Sequence, residues 1–410
     1  MTPLRITVVF LVLLRIGTRL FAQAPEPTCD WKQFQQNAAD LRAARDAARK
    51  IVSSDKIEGA TNVPPEAIKQ IQQFKNSLYA ALEDYFRCQT PAVPSARALQ
   101  LDLYTRFSLP EPLPPKDTHE DTDSFTGLYL AGITFTVQTV PDARNLVAVL
   151  TEFGIPYGED AELDIFSLQG GAWKPVVNFT SQPYKSIYGA FEAFDYKISP
   201  PDTKNAWFVA TTHINPWPSS CWRTLFVDAL RPDQIGMIGE LFHDEQWGYV
   251  CDDVPPYLRS VTADTFQVRF SVTSMDESVL SSVRVMTYKV RDDEVVRIRP
   301  FAANPVNFVD EWLRTDWLHA GEWSATTHRE ELRREHQKEH KKEGEGDFTA
   351  FRSCSSASLK EVEFDEVERN GRNHFFLVRQ NGDIFQMVRV SNHHNPSCKG
   401  PDRLAAVKDR

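Results

Sequence analysis

The sequence lacks the short motifs by which many enzymes and nucleotide-binding proteins are identified. It has no G-x-S-x-G string and no glycine-rich phosphate loop, which disfavours a serine nucleophile and nucleotide binding. It has no C-x-x-C pair, so a thioredoxin-like redox site or a zinc ribbon has no support. The acidic segment Asp117–Asp123 lacks the glycine and the final glutamate of an EF-hand loop, which argues against calcium. No cofactor is therefore predicted.

Long apolar runs are missing after the first 24 residues. No later segment has the roughly 18 uncharged apolar residues that a helix needs to cross a bilayer. The segment Met1–Ala24 itself has a positive residue, Arg5, a short and mostly apolar run, Ile6–Leu14, and small residues at Ala22 and Ala24. This pattern predicts a cleaved export signal and a protein that is periplasmic or secreted, with an uncleaved anchor as the alternative.

Positively charged residues are fewer than negatively charged ones. The chain has 46 Lys and Arg against 56 Asp and Glu, which gives a formal net charge of -10. Removal of the signal, which carries three arginines, makes the mature chain still more acidic. An acidic chain repels phosphate groups, so nucleic acid is disfavoured as a partner.

Cysteine occurs at six positions, all of them after the predicted signal. An even number in an exported chain favours disulfides, which would leave no thiol nucleophile. The cysteines bracket successive segments, so we predict sequential pairing: Cys29 with Cys88, Cys221 with Cys251, and Cys354 with Cys398.

Two amphipathic stretches predict an N-terminal helical hairpin. Asp30–Val52 and Glu66–Arg87 place apolar residues mostly at steps of three and four, which marks one helical face. Gly59–Pro65 interrupts the pattern between them. An antiparallel hairpin brings the start of the first helix beside the end of the second, where Cys29 and Cys88 stand. The hairpin would pack on the rest of the protein, act as a spacer or serve as a docking arm.

The central part of the chain repeats one pattern three times. The copies begin at Asn145, Asn205 and Asp264, which is a period of about 60 residues. Each copy has three β-prone runs separated by polar turns. Three further β-prone segments precede the copies and would add a fourth strand to each: Gly127–Val140, Ile187–Ile198 and Trp247–Val261.

A fourth copy follows near the C-terminus. Its β-prone runs, Leu359–Glu368, His374–Arg379 and Ile384–Val390, are separated by two Asn-Gly pairs, which are strong hairpin signals. Four-stranded units repeated along a chain predict a mainly β, propeller-like fold that follows the helical hairpin. A β-sandwich or an open sheet is the alternative.

These signals divide the chain into consecutive segments. We predict a signal peptide at 1–24, the α-helical hairpin at 25–89, a proline-rich linker at 90–122, the β-repeat domain of three units at 123–301, a helical insertion with a charged segment at 302–346, the fourth β unit at 347–400 and a tail at 401–410.

Two residues are candidates for binding. Trp217 stands between two prolines in Asn215–Pro218, a rigid loop between β-prone runs, and loops carry sites more often than strands do. His213 lies just before this loop. His243, later in the same repeat, is followed by two acidic residues and is a weaker candidate for acid–base chemistry.

One string matches a catalytic metal motif. Residues 336–340 read H-x-x-E-H, as in inverted zinc peptidases, and a helix would place His336 and His340 on one side to share a metal, with Glu339 as general base. The surrounding run, Thr327–Gly346, is almost wholly charged. It predicts a solvated helix without an apolar face, which disfavours a shielded metal site.

Two functions from different classes fit these observations. An exported, non-catalytic binding or scaffold protein accounts for the repeats, the cysteines and the missing catalytic strings. Its partner would be an unidentified envelope or extracellular protein or a glycan. An extracytoplasmic hydrolase, dependent on a metal if histidines converge, is the alternative.

Overall fold

The computed structural model describes most of the chain after the predicted signal. The described residues are 29–51, 61–90, 92, 95–109, 128–140, 142, 144–216, 222–232, 238–249, 255–273, 281–292, 294–300, 302, 304–340, 348–354, 363–369, 374–381 and 384–402. Several predicted features lie outside these residues: the signal, Asp117–Asp123, Trp217, Cys221, Cys251 and the turn at Asn370-Gly371.

The N-terminal part is helical. Helices α1 (Trp31–Ala48) and α2 (Pro65–Arg87) form the predicted hairpin, whereas α3 (Ala96–Phe107) lies within the segment predicted as a proline-rich linker. The side chain of Asp30 accepts hydrogen bonds from the backbone N–H groups of Lys32 and Gln33 in the first turn of α1. Helix α2 begins with Pro65, which is tolerated because a backbone N–H at that position would have no partner within the helix. The predicted Cys29–Cys88 disulfide joins the ends of the α1–α2 pair. None of the described helices is long and apolar enough to span a bilayer.

The rest of the fold is built on four antiparallel sheets of four strands each, which confirms the predicted β-repeat plan. Each sheet pairs strands in chain order, so every connection within it joins neighbours. Sheet 1 contains β1 (Ala131–Val140), β2 (Leu146–Ile155), β3 (Gly158–Gln169) and β4 (Ala172–Thr180). Sheet 2 contains β5 (Glu192–Ile198), β6 (Val209–Ile214), β7 (Trp222–Pro232) and β8 (Ile238–Tyr249). Sheet 3 contains β9 (Tyr257–Val261), β10 (Thr265–Thr273), β11 (Ser281–Arg291) and β12 (Glu294–Arg299). Sheet 4 contains β13 (Phe348–Cys354), β14 (Glu363–Arg369), β15 (His374–Asn381) and β16 (Ile384–Ser391).

The first three sheets are packed face to face, with the helices on the outer face of sheet 1. Successive residues of a strand point to opposite faces, so both faces of a central sheet are apolar. In β2, Val147 and Val149 pack with the helices, whereas Leu146 and Ala148 pack against sheet 2. The opposite face of sheet 2 packs on sheet 3 in the same way. This stacking explains why the repeat strands carry long apolar runs instead of a clean alternation.

A second helical segment joins sheet 3 to sheet 4. It contains α4 (Pro305–Arg314), α5 (Trp317–Ala320) and α6 (Arg329–His340). Trp323, in the turn between α5 and α6, donates from its indole N–H to the Arg297 carbonyl of β12 and accepts through its own carbonyl from Met387 N–H of β16. The segment is thus fixed to both sheets.

The charged helix α6 is not solvated on all sides, so that prediction was wrong. Leu332, His336 and Glu339 are buried at helical spacing and face α4 and sheet 4. This face could not be recognised by composition, because only one of its three residues is apolar.

Sheet 4 has one strand more than the fourth copy in the sequence. Strand β13 lies directly after the charged run and pairs with β14. It is joined to the C-terminal segment by the predicted Cys354–Cys398 disulfide. The hairpin at Asn381 is as predicted, since Asn381 pairs with Ile384.

Candidate functional site

Five rings form a row that crosses from sheet 1 through sheet 2. In order, the rings are Phe179 of β4, Phe191 just before β5, His213 of β6, Phe226 of β7 and His243 of β8. Successive ring centroids lie 5.2, 4.0, 4.8 and 5.9 Å apart. The three phenylalanines are half-buried and the His243 side chain is 41% exposed, so the ring row is accessible at the protein surface.

A buried carboxylate holds the exposed imidazole of the ring row. The Asp228 side chain on β7 is only 3% exposed, and its Oδ1 lies 2.7 Å from His243 Nδ1. Its Oδ2 accepts a hydrogen bond of 3.2 Å from the Thr211 hydroxyl. On the solvent side, Glu245 Oε1 lies 3.1 Å from His243 Nε2. Both nitrogens of the exposed ring therefore face carboxylates.

The two histidines of the ring row are held in different charge states. The hydrogen bond with Asp228 raises the pKa of His243 to about 9, and Glu245 adds to the effect. Burial lowers the pKa of His213 to about 4, although Asp228 Oδ2 lies 3.7 Å from its Nδ1 and acts against the shift. At neutral pH the row thus ends in an exposed imidazolium and contains a neutral imidazole between two phenyl rings.

The two sequence candidates in this region have different outcomes. His213 belongs to the ring row, but it is only 5% exposed, and its ring packs between Phe191 and Phe226 beneath the surface. Trp217 follows β6 and lies outside the described residues, so its role stays a prediction. His243 pairs with Asp228 and Glu245, and not with its neighbour Asp244, because strand alternation turns Asp244 toward Tyr288 on the other face.

Sequence reasoning missed Asp228, the residue that organises this site. A carboxylate inside the β-prone run of β7 was the available signal, since a charged residue in a central strand needs a partner.

A second polar cluster lies under α2, on the helical face of sheet 1. Lys75 is 4% exposed, and its Nζ lies 2.9 Å from Asp160 Oδ2 and 3.8 Å from Glu162 Oε1. It also donates to the Ser181 hydroxyl at 2.5 Å. A cleft of about 10 Å³ beside Lys75 and Ser181 is roughly large enough for one water molecule. A cleft of this size does not hold a substrate, and the contacts of Lys75 connect α2 to sheet 1.

Three acidic residues of β3 share this buried face: Asp160, Glu162 and Asp164. Burial, with a smaller contribution from the charge of Glu162, raises the pKa of Asp164 to about 8, although the hydrogen bond from Asn178 opposes the shift. Asp164 is therefore predominantly protonated at neutral pH, because a buried carboxylate beside Glu162 is costly to ionise.

The histidines of the H-x-x-E-H string bind the end of α4. His336 Nε2 lies 2.9 Å from the Trp312 carbonyl and 2.8 Å from that of Thr315, and His340 Nδ1 lies 2.9 Å from that of Leu313. The last carbonyls of a helix have no partner within it, so ring N–H donors from α6 satisfy them.

This contact gives the string a structural explanation. Glu339 is turned toward sheet 4, where its Oε2 lies 3.9 Å from Arg369 Nη1 and its Oε1 lies 3.5 Å from His374 Nδ1. Across the part of the chain that the structure describes, no three His, Cys, Asp or Glu side chains are arranged to hold a metal ion. Metal binding at His336 and His340 stays a prediction.

Comparisons with known proteins give remote likeness in structure alone. No family model matches the chain, and no curated protein matches it at a significant level. Similar solved structures include a BT0996 RGII complex, with 12% identity and a TM-score of 0.26 over 67% of this chain and 77% of that protein. They also include a Penicillium chrysogenum alpha-L-arabinanase complexed with arabinobiose, with 11% identity and a TM-score of 0.25 over 70% of this chain and 68% of the arabinanase. A protein described as a glycoside hydrolase has 11% identity and a TM-score of 0.27, with 75% of this chain and 83% of that protein covered. At these identities and TM-scores the matches carry no argument about activity.

Proposed function

We propose that the protein is an extracytoplasmic binding protein that holds a glycan segment against the ring row. The observation that carries this proposal is the row itself, a half-exposed series of phenyl rings that ends in a charged imidazole and an exposed carboxylate. Binding sites combine aromatic surface with a few fixed polar groups. A sugar ring has the complementary chemistry, because it presents a face of C–H groups and a rim of hydroxyls.

The polar end of the ring row is fixed before any ligand arrives. Buried Asp228 orients the His243 ring and keeps it charged, so that ring offers a donor in a set direction. Glu245 is 61% exposed at the side chain and offers acceptors. A ligand hydroxyl can replace the contact between His243 Nε2 and Glu245 by accepting from one and donating to the other.

The extracytoplasmic part of the proposal is supported by the cysteines. All four described cysteines form disulfides, Cys29 with Cys88 and Cys354 with Cys398. Such bonds persist in oxidising compartments. The export signal predicted at Met1–Ala24 agrees with this placement.

A glycan panel tests the proposal. Immobilised plant, fungal and bacterial polysaccharides are probed with the mature protein, and affinity for any bound glycan is then measured by calorimetry. His243→Gln and Phe226→Leu should each weaken binding about tenfold, because a charge-assisted hydrogen bond and an aromatic contact are each worth roughly 1–3 kcal/mol. His328→Gln is the matched control, since His328 is an exposed histidine in the turn before α6. A panel without binding, or affinity unchanged in both variants, contradicts the proposal.

A hydrolase is the second candidate, and one observation favours it. His243 is exposed and is held at Nδ1 by a buried carboxylate, which is how catalytic histidines are oriented. With a pKa of about 9 it would donate a proton at neutral pH, facing Glu245 as the base. Release of reducing ends from a bound glycan, lost in Glu245→Gln, would replace the binding-only proposal with this one.

A further inference from the structure

The outer face of sheet 4 carries a cleft that is separate from the ring row. Its volume is about 240 Å³, and β15, β16 and the C-terminal segment line it. Val367, Phe376 and Val378 point to the opposite face, where they pack with α4 and its neighbours. Strand alternation therefore points Phe375 and Leu377 to the cleft face.

One wall of the cleft is fixed by a buried carboxylate. Glu366 on β14 is 2% exposed, and it accepts hydrogen bonds from His394 Nδ1 and, at 2.7 Å, from the Asn395 backbone N–H. Both of its oxygens are thus used to fasten the C-terminal segment. Glu366 therefore holds the C-terminal segment in place and is not proposed to contact a ligand.

Three further connections hold this wall in place. The Cys354–Cys398 disulfide ties the segment to the end of β13. Gly400 N–H donates to the Ser353 carbonyl at 3.1 Å, and Phe351 N–H donates to Asp402 Oδ1 at 3.0 Å. The cleft is therefore preformed, which lowers the entropic cost of ordering it around a ligand.

The floor and rim of the cleft differ in chemistry. Phe375 and Leu377 are half-buried and form an apolar floor. Arg389 is exposed on β16 directly opposite Leu377, and Ser391 is opposite Phe375. No carboxylate among the described residues pairs with Arg389. An exposed guanidinium beside an aromatic floor fits a ligand that combines a carboxylate with a ring, because arginine meets a carboxylate through two parallel hydrogen bonds.

We propose that this cleft binds a small organic acid whose carboxylate meets Arg389 and whose ring packs on Phe375. The acid can be an acidic sugar unit at the end of a glycan or a free aromatic acid, and both share this chemistry. The cleft volume is sufficient for one ring with its substituents. The inference is independent of the ring row and of the glycan proposed to bind there.

Calorimetry on the mature protein tests the cleft with three ligands: glucuronate, benzoate and glucose. Glucuronate or benzoate should bind, and glucose should bind at least tenfold more weakly, since it has no charge for the guanidinium. Arg389→Gln should weaken carboxylate binding at least tenfold. Arg379→Gln is the matched control, because Arg379 is an exposed arginine of the same sheet that lines a different cleft. Its affinity should stay within about twofold of the unmodified protein.

The outcomes separate the two sources of the ligand. Binding of glucuronate without benzoate assigns the cleft to acidic sugars, and the reverse assigns it to free aromatic acids. The proposal is overturned if neither acid binds at concentrations on the order of 10 mM, where even a weak site would be occupied. It is also overturned if glucose binds as well as glucuronate, or if Arg389→Gln and Arg379→Gln have the same effect.

Discussion

Replacing Asp164 with asparagine should stabilise the protein, and the gain should increase with pH. Asp164 is fully buried on β3, and its pKa is raised from 3.8 to about 8 by burial, with Glu162 adding to the shift. An asparagine has nearly the same shape and keeps the oxygen that accepts 2.7 Å from Asn178 Nδ2. It cannot ionise, so the cost of protonating the side chain on folding disappears.

The magnitude follows from the two pKa values. In the unfolded chain Asp164 is ionised above its ordinary pKa of 3.8, whereas the folded protein keeps it protonated up to about pH 8. Folding therefore takes up a proton, and stability is lost as pH rises between these values. At about 1.4 kcal/mol per pH unit, the cost is roughly 2 kcal/mol at pH 5 and on the order of 4 kcal/mol at pH 7.

Urea denaturation at pH 5, 6, 7 and 8 measures this effect as the difference in unfolding free energy between the two proteins. The difference should increase by about 1.4 kcal/mol for each pH unit between pH 5 and 7, and by less between pH 7 and 8, where Asp164 begins to ionise in the folded protein as well. Glu240→Gln is the control, because Glu240 is an exposed acidic residue of β8 whose neutralisation removes the same charge without burial. Its effect should stay within about 0.5 kcal/mol at every pH.

Two results would refute the reasoning. A gain that is the same at all four pH values would mean that Asp164 does not take up a proton on folding. A variant that is less stable than the unmodified protein at pH 8 would mean that the β3 carboxylate is needed in its charged form.

Three further predictions concern the contacts described above. Lys75→Met should destabilise the protein by about 3–5 kcal/mol in chemical denaturation, because it leaves buried carboxylates without their cation. The control is Lys69→Met at an exposed lysine of the same helix, which should change stability by less than about 0.5 kcal/mol. Asp228→Asn should lower the pKa of His243 from about 9 toward the ordinary range, which an NMR titration of the imidazole would follow; a midpoint that stays near 9 would assign the shift to Glu245 alone. Removing the Cys29–Cys88 disulfide by a double change to serine should cost about 4 kcal/mol of stability, as expected for a crosslink 59 residues apart, and a peptide map without reduction should first show this pair joined.

The sequence alone determined the elements whose signals are local. The 3.6-residue periodicity of α1 and α2 predicted both helices, and their antiparallel packing then predicted the Cys29–Cys88 bond. The period of the β-prone runs predicted four-stranded units, which the four sheets confirm. These predictions hold because helix periodicity, turn chemistry and strand length depend on neighbouring residues.

Tertiary structure decided which polar faces are covered. Alternating acidic residues in β3 look like a solvated face, yet α2 packs over them and supplies one lysine. Helix α6 looks solvated all round, yet two of its three buried residues are polar and meet partners from α4 and sheet 4. The pairing of His243 with Asp228, 15 residues away, arises from the register of β7 against β8. Burial of a polar side chain depends on partners distant in the chain, and hydrophobic pattern reports only where apolar residues lie.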